Sequence, residues 1–120
     1  MAVCYDLRFP ELFRCLFNRK AEIIALPAAF TFPTGKAHWE VLCRSRAIEN
    51  FCYFIGAGQV GGEKETYGHS LIVDPWGNVL CSLENGMGVI TADINLAHLR
   101  KIREKMPVQQ HQRIFSTINY

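Results

Sequence analysis

Apolar positions along the chain alternate between short continuous runs and stripes at helical spacing. Phe9, Leu12, Phe13, Leu16 and Phe17 predict a helix over residues 9–19, with Pro10 in the first turn, where a missing N–H costs nothing. Residues 22–26 (EIIAL) read as a short buried strand stopped by Pro27, and residues 27–36, rich in Pro, Thr and Gly, as a loop. Trp39, Leu42, Cys43, Arg46 and Ala47 share one stripe of a second helix over 37–50, on which Glu40 and Arg44 form an i,i+4 pair. Residues 51–59 read as a buried strand and 60–69 as a polar, Gly-rich loop. Strands are expected at 70–74 and 78–83, joined by the hairpin signal Pro75-Trp76-Gly77-Asn78, and again at 88–94. Asn95 or Asp93 caps a last helix over about 96–105, ended by Pro107. Residues 1–5 read as the end of a strand that enters a sheet midway, and the tail has no clear periodicity. The order βαβα followed by ββββα predicts a mixed α/β fold, with a parallel crossover first and hairpins after it.

Composition narrows the function classes. The chain has 120 residues, 49% hydrophobic and 20% charged, which fits one globular domain. A net charge of +2 is too small for a protein that coats nucleic acid, and no apolar run approaches the ~18–20 residues of a membrane span. No basic stretch followed by an apolar one marks a secretory signal. Five cysteines at irregular spacing, with no Cys-x-x-Cys, and four histidines with no His-x-x-x-His support neither a metal site nor a disulfide framework. Reduced thiols in a cytosol-like compartment fit better.

Cys4 stands apart from the other cysteines. It opens Cys4-Tyr5-Asp6-Leu7-Arg8-Phe9-Pro10-Glu11, at the expected junction of strand and helix. Such a junction exposes a nucleophile and favours its thiolate, and the N–H of Tyr5 is placed to face a developing oxyanion. Arg8 and Glu11, three apart, are expected to pair and brace the turn. Cys15, Cys43, Cys52 and Cys81 read as small buried hydrophobes. Gly56-Ala57-Gly58-Gln59-Val60-Gly61 matches G-x-G-x-x-G, but the residues after it lack the apolar repeat of a phosphate-binding helix, so a loop is expected. Trp39 reads as packing, and Arg100 to Lys105 as a solvated helix face.

Four segments carry a family resemblance. CYDLRFPELFR resembles the nucleophile segment of the carbon–nitrogen hydrolase (nitrilase) superfamily. LPAAFTFPTGKAHWEVLCRSRAIEN is similar to the loop and helix that follow there, YGHSLIVDPWGNVL to the next hairpin, and MPVQQHQR to the C-terminal stretch. The final IFSTINY departs from the usual ending. The resemblance is strongest to the Nit branch. It implies the C-terminal portion of an αββα sandwich, incomplete without the N-terminal half, with residues 1–120 as a partial domain. It further implies hydrolysis of a small non-peptide amide, deaminated glutathione favoured, by a Cys–Glu–Lys triad through a thioester, with no metal or organic cofactor. Cys4 maps onto the nucleophile and the Tyr5 N–H onto the oxyanion site. Phe30, Thr31 and Thr34 map onto the substrate mouth. The family Glu and Lys precede the cysteine and match nothing here, so the chain is expected to be inactive alone.

The resemblance also implies a homo-oligomer or association with a family chain, with the Trp39 helix a candidate for the dimer interface. It places the protein in the cytoplasm and leaves a mitochondrial form open. Without the missing half, the 9–19 helix and the 51–59 strand are expected to lose their cover. The competing expectation is a non-catalytic, regulatory polypeptide that pairs with a full-length family member.

Overall fold

A computed structural model describes residues 1–61 and 65–114. Part of the expected 60–69 loop and the IFSTINY tail beyond Ile114 therefore lie outside the described residues. The helices are α1 (Pro10–Asn18), α2 (Phe32–Asn50), α3 (Leu96–Lys105) and a short α4 (Val108–His111). The strands β1 (Ile23–Ala28), β2 (Tyr53–Gly58), β3 (Ser70–Val73) and β4 (Val79–Leu83) form one sheet in the order β1-β2-β3-β4. β1 and β2 are parallel and joined through α2, whereas β2-β3 and β3-β4 are antiparallel. This is the mixed α/β arrangement that the alternation predicts.

The apolar period explains the helical layer. Phe13 and Phe17 of α1 are buried, and Phe13 meets Phe54 of β2 with ring centroids 6.0 Å apart. Trp39, Cys43, Arg46 and Ala47 of α2 are all buried on the stripe read from the sequence, and Glu40 pairs with Arg44 at 3.3 Å on the exposed side. These helices cover one face of the sheet, where Ile24, Leu26, Phe54, Leu71 and Val73 are buried. The expectation that the 9–19 helix and 51–59 strand lie stripped is therefore corrected: each packs against the other. Uncovered apolar surface lies instead on the second face, where Ile23 is 43% exposed, and around the first turn.

Four element expectations are also corrected. Residues 1–5 form no strand. Only the Ala2 N–H bonds across to β1, at the Ala25 carbonyl (3.0 Å), and the chain then tightens into a 3-10 turn, Cys4–Arg8. β1 runs on through Pro27 to Ala28. Among the described residues β1 is an edge strand paired only with β2, and an edge tolerates a residue with no N–H to donate. α2 starts at Phe32, within the expected loop. Pro33 sits in its first turn, and Gly35 leaves room for Tyr67, whose Cβ lies 2.2 Å from where a side chain at 35 would begin. Residues 88–94 join no ladder. The Cys81 thiol lies 3.4 Å from the Thr91 carbonyl on β4, and the Asn95 N–H reaches the Tyr53 hydroxyl on β2 at 3.1 Å. The segment thus runs across the strands rather than beside one.

The C-terminal helices tie the chain back. Asn95 caps α3 by accepting from the His98 N–H at 2.9 Å, as expected. The basic face of α3 is not simply solvated. Arg103 donates to the Phe51, Ala21 and Asn50 carbonyls, and Arg100 pairs with Glu22 at 2.8 Å. The Pro-Val-Gln-Gln stretch docks α4 on the end of α1, where Gln109 accepts from Lys20 at 2.6 Å.

Candidate active site

Cys4 is where local strain and a cavity coincide. Its φ of 46° lies in the left-handed region, which a side chain with a Cβ adopts at a cost. Asp6 holds the bend: its carboxylate accepts from the Val3 N–H at 2.8 Å, while the Asp6 N–H donates to the Val3 carbonyl at 3.0 Å. From below, the buried Arg46 donates through Nε (3.1 Å) and Nη2 (2.8 Å) to the Leu7 carbonyl, and its Nη1 reaches Glu49 at 3.2 Å. A cation sunk in the core thus pins the end of the Cys4 turn to α2.

The pair expected between Arg8 and Glu11 does not form. Arg8 lies 5.5 Å from the Tyr5 ring centroid and 5.4 Å from that of Phe30, with Nη1 3.4 Å from His38 Nδ1. Asp6 and Arg46 brace the turn instead. Asp6 sits in plain view within the motif, but Arg46 lies 39 residues from its acceptor and reads from sequence as one more position on a stripe.

Beside Cys4 is a cavity of about 440 Å³ at the carboxyl ends of the parallel strands β1 and β2. Val3, Pro27, Ala28, Ala29, Ala57 and Gly58 give it an apolar wall, and Gln59 completes the lining. Ligand sites of α/β sheets lie at this end of parallel strands. No Glu, Lys or His is among the lining residues. Tyr5 follows Cys4 in the first turn of the 3-10 segment, where backbone N–H groups lack partners within the helix. Its side chain is 65% exposed and meets Phe9 edge-on.

Phe30, Thr31 and Thr34 do not line this cavity. Phe30 is buried edge-on against Trp39, with centroids 5.2 Å apart. The Thr31 and Thr34 hydroxyls share a 2.8 Å hydrogen bond at the start of α2. They continue directly from Ala28 and Ala29, which do line it. Trp39 is buried as packing, and its indole N–H donates to the His69 carbonyl at 2.6 Å. The Gly56–Gly61 motif opens no helix up to Gly61: Val60 instead bridges back to Tyr67.

Cys43 and Cys52 are less available, as expected of buried hydrophobes, whereas Cys15 and Cys81 are not buried. Burial pushes the Cys52 thiol up to about 12 and raises that of Cys43 further, so both stay protonated and shielded. Cys15 and Cys81 are partly exposed, like Cys4. No cluster of three or more metal-ligating side chains occurs among the described residues, and no described helix is long and apolar enough to cross a membrane.

Residues 1–104 match the carbon-nitrogen hydrolase family. The chain belongs to that family. It is 52% identical over 116 residues to deaminated glutathione amidase from Rattus norvegicus, covering 94% of this chain and 36% of that protein. It thus spans little more than a third of that relative's length. Among solved structures, the Caenorhabditis elegans NitFhit protein is similar with a TM-score of 0.90 and 44% identity, over 94% of this chain and 28% of that one. An amidase from Nesterenkonia sp. AN1, crystallised with acrylamide added at its active-site cysteine, is similar with a TM-score of 0.69 and 29% identity. That likeness covers 90% of this chain and 43% of the other. As a family member, the chain carries the mixed sheet and helical layer of the carbon–nitrogen hydrolase fold.

Proposed function

We propose that this chain supplies the nucleophile of a carbon–nitrogen hydrolase that cleaves a small non-peptide amide, with deaminated glutathione the favoured substrate. The observation that carries the reading is Cys4 in a strained left-handed bend, opening a 3-10 turn on the wall of an apolar cavity. The Cys4 thiolate attacks the amide carbon, and the Tyr5 N–H stabilises the oxyanion. A C–S bond forms, the C–N bond breaks, and the amine leaves with a proton. Water then cleaves the thioester, releasing the acid and restoring the thiol. The family resemblance assigns Phe30, Thr31 and Thr34, which follow the lining residues Ala28 and Ala29 in the chain, to the substrate approach. No cofactor is needed for these steps.

The missing parts follow from the same chemistry. A base must take the thiol proton and later activate water, and a second donor must face the oxyanion. The cavity lining offers no Glu, Lys or His for either role, so both come from the family segment that carries the Glu and Lys. The chain works in a homo-oligomer or beside another family chain in the cytoplasm, and uses neither nucleic acid nor membrane. The open second face of the sheet favours a second reading, a non-catalytic polypeptide that pairs with a family member.

One experiment separates the two readings. The chain is assayed for amide hydrolysis alone and with a family segment bearing the Glu and Lys. Turnover only in the mixture, abolished by Cys4→Ser, is the expected result. Cys4-dependent turnover by the chain alone would overturn the incomplete triad. A mixture that associates yet stays inactive would leave the pairing role.

A further inference from the structure

We infer that Gln59 is a specificity-determining residue, whose side-chain amide reads a hydrogen-bonding oxygen on the acyl part of the substrate. The inference rests on the Cys4 cavity being the amide site. Of the side chains lining that cavity, only those of Cys4 and Gln59 can form hydrogen bonds. Cys4 is committed to the reacting carbon, which leaves Gln59 to distinguish one acyl group from another. A single polar group in an apolar pocket is the usual source of orientation and specificity.

Gln59 is also held in place by its backbone. Its N–H donates to the Ala28 carbonyl at 2.8 Å, across the ends of the two strands that form the cavity floor. The preceding Gly58 is clamped on both sides. Its N–H donates to the Ser70 hydroxyl at 3.0 Å, and a Cβ at 58 would lie 1.9 Å from the Gly68 carbonyl oxygen. The side chain of Gln59 is exposed and has no hydrogen-bond partner among the described residues. Its amide is therefore free to bind, on a backbone fixed before the ligand arrives. The lining carries no acidic side chain to repel an anion and no Lys or Arg to hold one. The oxygen it reads is accordingly held by hydrogen bonding with no ion pair behind it, and a carboxylate, as the strongest acceptor for the amide NH₂, is the sharpest probe.

The test compares two amides that differ only at the far end: succinamate, which ends in a carboxylate, and butyramide, which ends in a methyl group. They are titrated against the Cys4→Ser chain by NMR, following the Gln59 side-chain NH₂. Succinamate should bind about tenfold more tightly and shift that signal, as expected of a hydrogen bond to a charged group. Gln59→Leu should erase the preference while butyramide affinity and melting temperature hold. Gln59→Glu should reverse it by charge repulsion. A preference that survives in Gln59→Leu, or a parent chain that binds neither amide saturably, would overturn the inference. Alkylation of Cys4 by iodoacetamide, mapped by mass spectrometry, reports separately on the nucleophile. An inert Cys4 with the Gln59 preference intact would count against Cys4 as the nucleophile and leave Gln59 as the group that reads the far end of an amide bound in this cavity.

Discussion

On one face of the sheet, Ile24, Leu26, Phe54, Leu71 and Val73 lie beneath α1 and α2 and are buried. On the other, β1 shows Ile23 and Pro27 to solvent, and its Ala25 stands level with Ile55, Ile72 and Cys81 across the strands. Ile72 and Tyr53 on this second face are buried; the crossing 88–94 segment bonds to β4 through Thr91, and Asn95 just after it bonds to Tyr53. The strands are the same; the layer above them differs. A face covered by its own helices carries the fold, whereas a half-covered face is one on which a further layer can settle. The Cys4 cavity lies at the strand ends between these two situations, with the Cys4 turn anchored from the covered side.

The largest expected effect breaks the covered face. Phe54→Ala removes a fully buried ring that packs on Phe13, and should cost about 3–5 kcal/mol in urea unfolding. Ile23→Ala on the open face should change stability by about 0.5 kcal/mol or less, as surface changes do. Equal losses at the two positions would show that the second face is as well packed as the first. If the chain associates through that face, Ile23→Ala should instead weaken assembly, read by sedimentation.

An intermediate effect concerns the anchor between the covered face and the Cys4 turn. Arg46→Ala strips both donors from the Leu7 carbonyl, and should cost about 2–3 kcal/mol, since a buried acceptor left unpaired forfeits its desolvation. It should also change the rate of Cys4 alkylation relative to that of Cys81, which lies on the far edge strand. A stability loss with no change in that ratio would separate the anchor from the turn.

Much of the covered face was legible in the sequence, and the site only partly. The stripes of α1 and α2, the parallel crossover and the Asp74–Asn78 hairpin follow from periods of 3.6 and 2 and from turn residues. In that hairpin, the Asp74 carboxylate accepts from the Trp76 and Asn78 N–H groups at 2.8 and 2.9 Å. Cys4 was found because its motif is local. Its backbone was misread as strand because a positive φ and a three-residue bond from Asp6 leave no periodic trace. The 88–94 segment alternates like a strand, yet its path is set by distant partners at Cys81 and Tyr53. Gln59 sits inside a glycine motif, and its position depends on a bond to Ala28, 31 residues earlier in the chain at the end of β1.

The smallest effect tests the outer edge of the covered side, where α3 is tied to the start of β1. Arg100 donates to Glu22 at 2.8 Å, and that hydrogen bond holds the Glu22 carboxyl below the ordinary glutamate value of about 4.3. Because the folded-state value is depressed, the pair stabilises the fold at neutral pH. That contribution is lost as pH falls through the folded-state value, where Glu22 takes up a proton. Arg100 is exposed and Glu22 partly so, so the effect is small and salt weakens it. Glu22→Gln should therefore lower the melting temperature slightly at pH 7, with the difference closing in acid, below the ordinary glutamate range, and shrinking in about 1 M salt. A difference that persists in acid would assign the effect to packing of the side chain on Arg100 rather than to its charge. In that case the Arg100 edge of α3 would be held by contact, and its polar anchorage would rest on the Arg103 hydrogen bonds.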